Sequence, residues 1–337
     1  MTVLVTGGGG FLGGAIVRQL VARGLAVRSL TRSVYPWLGE LGVEQVQGHL
    51  EKFEDVERAV AGCDSVFHVA AKAGVWGRYD DYYDTNVTGT KNLVTASRSA
   101  GVKQLIYTST PSVVHSGGNI EGGDESLPYP KRFSAEYPET KAIAERFVMQ
   151  SSDGQMPTVS LRPHLIWGPG DPHLIPRLLA KARAGKLRRI GRHPVKVDVT
   201  FVENAALAHL QAWDALVAGA AIGGRAYFVS NGEPVLLWDF LNRILAEHGV
   251  PQATRTVPTW LAGTAATVVE TLHRLFRIQS EPAITKFVVE QLSTSHWYNI
   301  TAAKRDFGYM PTVTIEEGLS RLSAQTRTEQ TKPLPRS

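Results

Sequence analysis

An apolar run at Thr2–Thr6 leads directly into Gly7-Gly-Gly-Gly-Phe-Leu-Gly13, and this junction constrains the chain's fold more than any other feature. After it, Leu12, Ile16 and Leu20 recur at helical spacing until Gly24 offers a stop. A strand that turns through glycines into a helix brings backbone amides and the positive end of a helix to one point. Such a point attracts phosphate oxygens. Gly7, Gly10 and Gly13 stand three apart, unlike the G-x-G-x-x-G spacing usual for dinucleotides, but glycine answers the same needs: a tight turn and a close approach.

The alternation continues. Strands are predicted at Ala26–Leu30, Val43–Gln47, Ser65–Ala70, Val102–Ser109 and Thr158–Leu161. Helices are predicted at Phe53–Ala61, Tyr83–Ala100 and Glu136–Ser151. Repeated strand–helix–strand units imply a parallel sheet covered on both faces. The expected class is therefore α/β, a Rossmann-like doubly wound sheet. The rhythm changes at Pro169-Gly-Asp-Pro-His173. We therefore expect residues 1–168 to form mainly a nucleotide-binding domain. Residues 169–323 should form a smaller, partly interwoven substrate region that returns some strands to the main sheet, and 324–337 a polar, disordered tail.

The end of the second strand speaks to the cofactor. It reads Arg28-Ser-Leu-Thr-Arg-Ser33, with no carboxylate to bind the ribose hydroxyls of NAD. Thr31, Arg32 and Ser33 suit a 2′-phosphate instead, because a guanidinium pairs with phosphate where a carboxylate would repel it. NADP(H) is the expected cofactor. Tyr137 and Lys141, four apart on a predicted helix, share a face. A phenol titrates near 10, so it needs help to act as an acid or base at neutral pH. A nearby ammonium, with the nucleotide's ribose between the two, would favour proton transfer through Tyr137. The hydroxyl-rich Tyr107-Thr-Ser-Thr-Pro-Ser112 ends the preceding strand. There Thr110 is the first candidate to orient a carbonyl, Ser112 its rival and Ser109 a weaker one.

Other classes of function find little support. The formal charge is +5, and part of the excess is local, where Lys181, Arg183, Lys186, Arg188, Arg189, Arg192, His193 and Lys196 crowd one stretch. This run has no interleaved aromatics and no recognition module, so no nucleic-acid partner is expected. Cys63 is the single cysteine, which rules out an internal disulfide and any multi-cysteine metal site. No ligand-spaced set of histidines and acids calls for a metal either. With no leader-like start and no long uncharged apolar stretch, a cytoplasmic protein is expected. Trp260, Leu261, Ala265, Val268, Val269, Leu272, Leu275 and Phe276 recur at near-helical spacing within 258–278. Packing against the rest of the protein is the first reading of that stripe. A peripheral contact with the inner face of a membrane, or with a long apolar substrate, is the second.

These segments together resemble the extended short-chain dehydrogenase/reductase family, in its 3β-hydroxysteroid dehydrogenase-like branch, over roughly residues 1 to 320. The resemblance rests on Thr6–Gly13, Asn86-Val-Thr-Gly-Thr90, Tyr107–Thr110, Tyr137-Pro-Glu-Thr-Lys141 and Arg162-Pro-His-Leu-Ile-Trp-Gly-Pro169. It implies Tyr137 as proton donor or acceptor, Lys141 as its electrostatic and ribose-binding partner, and Thr110 at the family's catalytic Ser/Thr position. For the cofactor it implies Gly7, Gly10, Phe11, Leu12, Gly13, Ala70, Ala71, Lys72 and Pro163, with Asn86 as an architectural support. His49 stands where the family often has Asp. Ala70–Gly77, Thr108–Ser112, Arg162–His173 and Tyr227–Pro234 further resemble bacterial 2-alkyl-3-oxoalkanoate reductases of long-chain olefin biosynthesis. That likeness implies NADPH-dependent reduction of a long-chain 2-alkyl-3-ketoacid, whose product partner enzymes then convert; association with other enzymes of the olefin pathway and a homodimer are further partner candidates. Arg78, His164, His173 and Arg177 are candidates to hold the substrate carboxylate. Trp260, Phe276 and Phe287 are candidates to line an alkyl groove. A 3β-hydroxysteroid or sterol dehydrogenase, and a non-catalytic NADP-binding sensor or scaffold, are the alternatives.

Overall fold

The computed structural model describes residues 1–278 and 280–331, with side-chain surroundings up to 327. Seven parallel strands form the main sheet: β1 (Thr2–Thr6), β2 (Ala26–Thr31), β3 (Glu44–Gln47), β4 (Ser65–His68), β5 (Gln104–Thr108), β6 (Thr158–Pro163) and β7 (Arg225–Val229). Their order is β7-β6-β5-β4-β1-β2-β3. The chain runs outward from β1 in one direction and, after β3, restarts at β4 on the other side. A crevice therefore opens at the carboxyl ends of β1 and β4, where an open parallel sheet accepts ligands. The strands read as near-continuous apolar runs because both faces are covered: β1 buries Val3, Leu4 and Val5, and β4 buries Val66 and Phe67.

The helix Phe11–Ala22 lies on one face beside Val202–Val217, and the packing between them buries Ile16, Leu20, Ala205 and Trp213. Phe53–Val60, Gly89–Ser99 and Glu136–Gln150 cover the other face. The helix expected to begin at Tyr83 instead starts at Tyr79 and passes through a π turn at Asp84–Thr88. The C-terminal half contributes three strands (His296–Tyr298, Lys196–Val197, Val235–Leu236) that join Ile120–Gly123 of the first half in a four-stranded sheet, with two two-stranded pairs beside it. Its own core gathers around Trp167, Phe201 and Phe240. The tail expected from Ala324 begins inside a helix, Ile315–Thr331, and residues 332–337 lie outside the described residues.

The apolar stripe of 258–278 does form a helix, Thr259–Leu275. It packs through Ala262, Ala266 and Glu270, so Trp260, Val268, Leu272 and Leu275 face outward. Packing of that stripe against the protein, the first reading of the sequence, is therefore corrected. The small side chains give the closer fit, and the large ones are left in solvent. Among the described residues no helix is long and apolar enough to cross a membrane.

Candidate active site

The glycine turn has room for a ligand only because it has no side chains. A Cβ at Gly13 would stand 2.1 Å from the Gly7 carbonyl oxygen, and one at Gly7, whose φ is +72°, would meet the Ala70 backbone at 3.0 Å. The following helix starts at Gly10 with no side-chain cap, which leaves its first amides for an incoming anion. Phe11 and Leu12 supply two of those amides. Thr6 Oγ accepts hydrogen bonds from the Val69 and Ala70 amides, both at 3.1 Å, and joins β1 to the Ala70–Lys72 loop. Its other neighbour is His68 Nδ1 at 2.8 Å. Burial takes the His68 pKa down to about 3, so this histidine is neutral beneath the crevice. These features fit a dinucleotide diphosphate.

At the end of β2 the Thr31 hydroxyl donates to the Ser33 carbonyl at 2.8 Å. Arg32 and Ser33 are exposed. Among the described residues the Arg32 guanidinium has no ion pair. His49 donates its amide to Asp55 at 2.9 Å, so a carboxylate is close to this end of the crevice although His49 itself is not one.

The Glu136–Gln150 helix presents Tyr137 and Lys141 toward the crevice from one face. Asn86 locks that helix in place. Its side chain accepts from the Lys72 amide at 2.8 Å and donates to the Lys72 carbonyl at 3.0 Å and to Thr140 Oγ at 3.1 Å. One residue thus ties the cofactor-side loop to the Tyr-Pro-Glu-Thr-Lys segment, and the π turn aims it there. Lys72 joins the site through its backbone, since its ammonium pairs with Asp81 at 2.9 Å.

Burial dominates the electrostatics of the pair. Tyr137 is pushed up to about 12 by desolvation, opposed by a hydrogen bond with Thr110 that favours the phenolate. Lys141 is lowered to about 7 by desolvation, opposed by the Glu145 carboxylate one turn on. The Lys141 ammonium donates to the Thr108 carbonyl at 2.6 Å and lies 4.1 Å from the centre of the Tyr107 ring. It is not paired directly with the phenol. At neutral pH Tyr137 is therefore a proton donor in waiting rather than a phenolate. Thr110 Oγ also sits 3.2 Å from Ser112 Oγ and starts the short turn that follows β5. Of the three candidate hydroxyls, Thr110 is the one engaged with Tyr137; Ser109 Oγ is buried without a partner. Pro163 closes β6 on the same side of the sheet.

The candidate carboxylate ligands scatter. Arg78 pairs with Asp80 at 3.3 Å and Arg177 with Glu281 at 2.9 Å, both at the surface. His164 is buried, 2.6 Å from His296, and burial holds it well below its usual pKa. His173 is exposed ahead of the Leu174–Arg183 helix. Trp260 and Phe276 are also exposed, so they do not line an enclosed groove; Phe287 is half-buried. Two residues that matter here escaped the sequence reading. Glu145 and Arg162 form a fully buried ion pair at 2.7 Å, joined by Tyr129, whose hydroxyl donates to Glu145 at 2.6 Å. The i+4 spacing from Lys141 to Glu145 was the available signal; Arg162 opens the Arg162–Pro169 segment that carries the resemblance, but nothing local names its partner.

The family model for the 3-beta hydroxysteroid dehydrogenase/isomerase family matches residues 4–259. A 2-alkyl-3-oxoalkanoate reductase of Stenotrophomonas maltophilia is 50% identical over 328 residues, spanning 97% of this chain and 99% of that protein. Another of that name, from Shewanella oneidensis, is 48% identical, over 95% and 85%. Among solved structures, that of gox2253 superposes with a TM-score of 0.78 at 26% identity, covering 97% of this chain and 98% of the other. The chain belongs to the 3-beta hydroxysteroid dehydrogenase/isomerase family, and it is an NAD(P)-dependent oxidoreductase of a carbonyl and hydroxyl pair.

Proposed function

We propose that the chain reduces the 3-keto group of a 2-alkyl-3-oxoalkanoate to the 3-hydroxy acid, using NADPH. The observation that carries this reading is the likeness at half identity, across nearly the whole of both chains, to reductases of that name. The site chemistry agrees with the reducing direction. When bound, the dinucleotide supplies the hydride that adds to the carbonyl carbon. Tyr137, protonated because burial holds its pKa near 12, gives its proton to the carbonyl oxygen as charge builds there. Thr110, hydrogen-bonded to the same phenol, shares the developing negative charge and orients the carbonyl. Among the described residues Lys141 is the only buried lysine, and from this phenol-bearing face it helps return a proton to Tyr137 after each turnover. Arg32 and Ser33 receive the 2′-phosphate that distinguishes NADPH, supported by the absence of a carboxylate from Arg28 to Tyr35.

Anaerobic incubation with NADPH and long-chain 2-alkyl-3-oxo acids, read by product mass spectrometry, tests the assignment. The expected product is two hydrogens heavier than the substrate. Turnover of a 3β-hydroxysterol with none of the keto acid would overturn it.

A further inference from the structure

The Thr259–Leu275 helix meets the rest of the protein along a narrow line of Ala262, Ala266 and Glu270. Glu270 is turned inward, where it accepts the Lys286 amide at 2.7 Å. It is the only ionisable residue between Thr259 and Leu272, so the outer face carries no charge over nearly four turns. That face is apolar and open: Trp260 is 72% exposed, Leu275 70%, Phe276 67% and Val268 52%. Single exposed apolar residues are ordinary, but a continuous uncharged face of this kind marks a contact surface.

Charge surrounds it. The strand Thr256–Val257, just before the helix, pairs with Arg189–Ile190. Hydrogen bonds from the Arg189 amide to the Arg255 carbonyl at 2.8 Å and from Gly191 to Val257 at 2.9 Å fix that pairing. The basic stretch of residues 181–196 is thereby laid against the helix's first turn, with Arg192 and Arg255 exposed. Arg274 and Arg277 are exposed at the opposite end. Glu281 is engaged by Arg177 at 2.9 Å and Glu136 by Arg274 at 3.8 Å, which leaves Arg277 as the cation at this end with no ion pair among the described residues. Cations therefore bracket the apolar face at both ends. A second copy would bring cation against cation whichever way the two helices ran. An anionic lipid surface satisfies the apolar face and both flanks together. The helix has 17 residues and is too short to cross, so it would lie in the plane of the interface.

The helix also touches the active-site rim. The His273 ring lies 5.8 Å from that of Trp76, Arg274 lies over Trp76 at 5.6 Å, and Glu136 precedes Tyr137 in the chain. We propose that the outer face of the Thr259–Leu275 helix docks on an anionic bilayer and seats the rim of the active site among the lipid headgroups. This goes beyond the proposed reduction and does not depend on which keto compound is reduced.

Sedimentation of the full-length protein with phosphatidylcholine vesicles, with and without phosphatidylglycerol, tests it. Binding should require phosphatidylglycerol and weaken at high salt. The triple substitution Val268→Gln, Leu272→Gln, Leu275→Gln should lower partitioning on the order of tenfold or more, since three apolar anchors are lost. Melting temperature and NADPH binding of that variant serve as fold controls and should match the parent. No vesicle binding, or binding that the substitutions leave intact, would overturn the proposal. So would a self-association that the substitutions abolish without any vesicle binding, which would assign the face to a second copy.

Discussion

Replacing Lys141 with Met should inactivate the protein and make it more stable, and the gain in stability should depend on pH. Lys141 is 2% exposed, and burial lowers it from 10.5 to about 7. Holding the ammonium charged in the fold then costs about 5 kcal/mol relative to the unfolded chain, at about 1.4 kcal/mol for each tenfold change in proton affinity. Methionine fills a similar volume without a charge. It forfeits the 2.6 Å bond to the Thr108 carbonyl, worth about 1 kcal/mol, and the contact with the Tyr107 ring, worth about 1 kcal/mol more. A net gain of about 3 kcal/mol is left. With an unfolding entropy of roughly 2.1 cal/mol/K per residue, a chain of 337 residues should melt about 4 °C higher.

The sign with pH follows from the depressed value. Below about pH 7 folded and unfolded chains both hold the proton, and the full burial cost applies. Between about 7 and 10.5 the unfolded chain binds more protons than the folded one, so the stability of the parent rises with pH and the cost fades. The advantage of Lys141→Met should therefore be largest near pH 6 and should shrink steadily toward pH 9.5. Scanning calorimetry of both proteins across that range, alongside NADPH-dependent turnover, makes the measurement. A variant that melts below the parent at every pH, or a gap that stays constant with pH, would refute the claim that desolvation governs this lysine.

Tyr137→Phe should lower kcat by about 10²–10⁴-fold while the NADPH dissociation constant, read by fluorescence titration, stays within about twofold, because the hydroxyl reacts but does not form the phosphate cradle. Arg32→Glu should reverse the cofactor preference, with the ratio of kcat/KM for NADPH to NADH falling on the order of a hundredfold; an unchanged ratio would remove Arg32 from the 2′-phosphate site. Glu145→Leu should cost about 3–5 kcal/mol in urea unfolding because it strands the Arg162 guanidinium, and adding Arg162→Met should recover most of that loss; equal losses in the single and double variants would show the pair to be uncoupled.

Much of this architecture was legible in the order of residues. β1 and the Phe11–Ala22 helix fall where the apolar periodicity placed them, because a strand and a helix each carry their own period. The Gly7–Gly13 turn, the missing carboxylate after β2 and the four-residue step from Tyr137 to Lys141 are likewise properties of neighbours along the chain. They point to the α/β class, a dinucleotide crevice and the proposed reacting face without any knowledge of distant contacts.

Tertiary packing decided the rest. The Asn86 bridge depends on a π turn that no local pattern announces, and its partners Lys72 and Thr140 are 14 and 54 residues away. The protonation of Tyr137 and Lys141 is set by how deeply they are buried, and burial is a property of the assembled layers rather than of a four-residue spacing. The Thr259–Leu275 helix makes the point most sharply. Its periodicity predicts the helix, but periodicity does not say which side meets the protein. The small face packs more closely than the large one, and the large one is left in solvent. Short-range order along a chain determines element type and local chemistry, whereas exposure, electrostatic environment and the joining of remote side chains arise only when the elements close on one another.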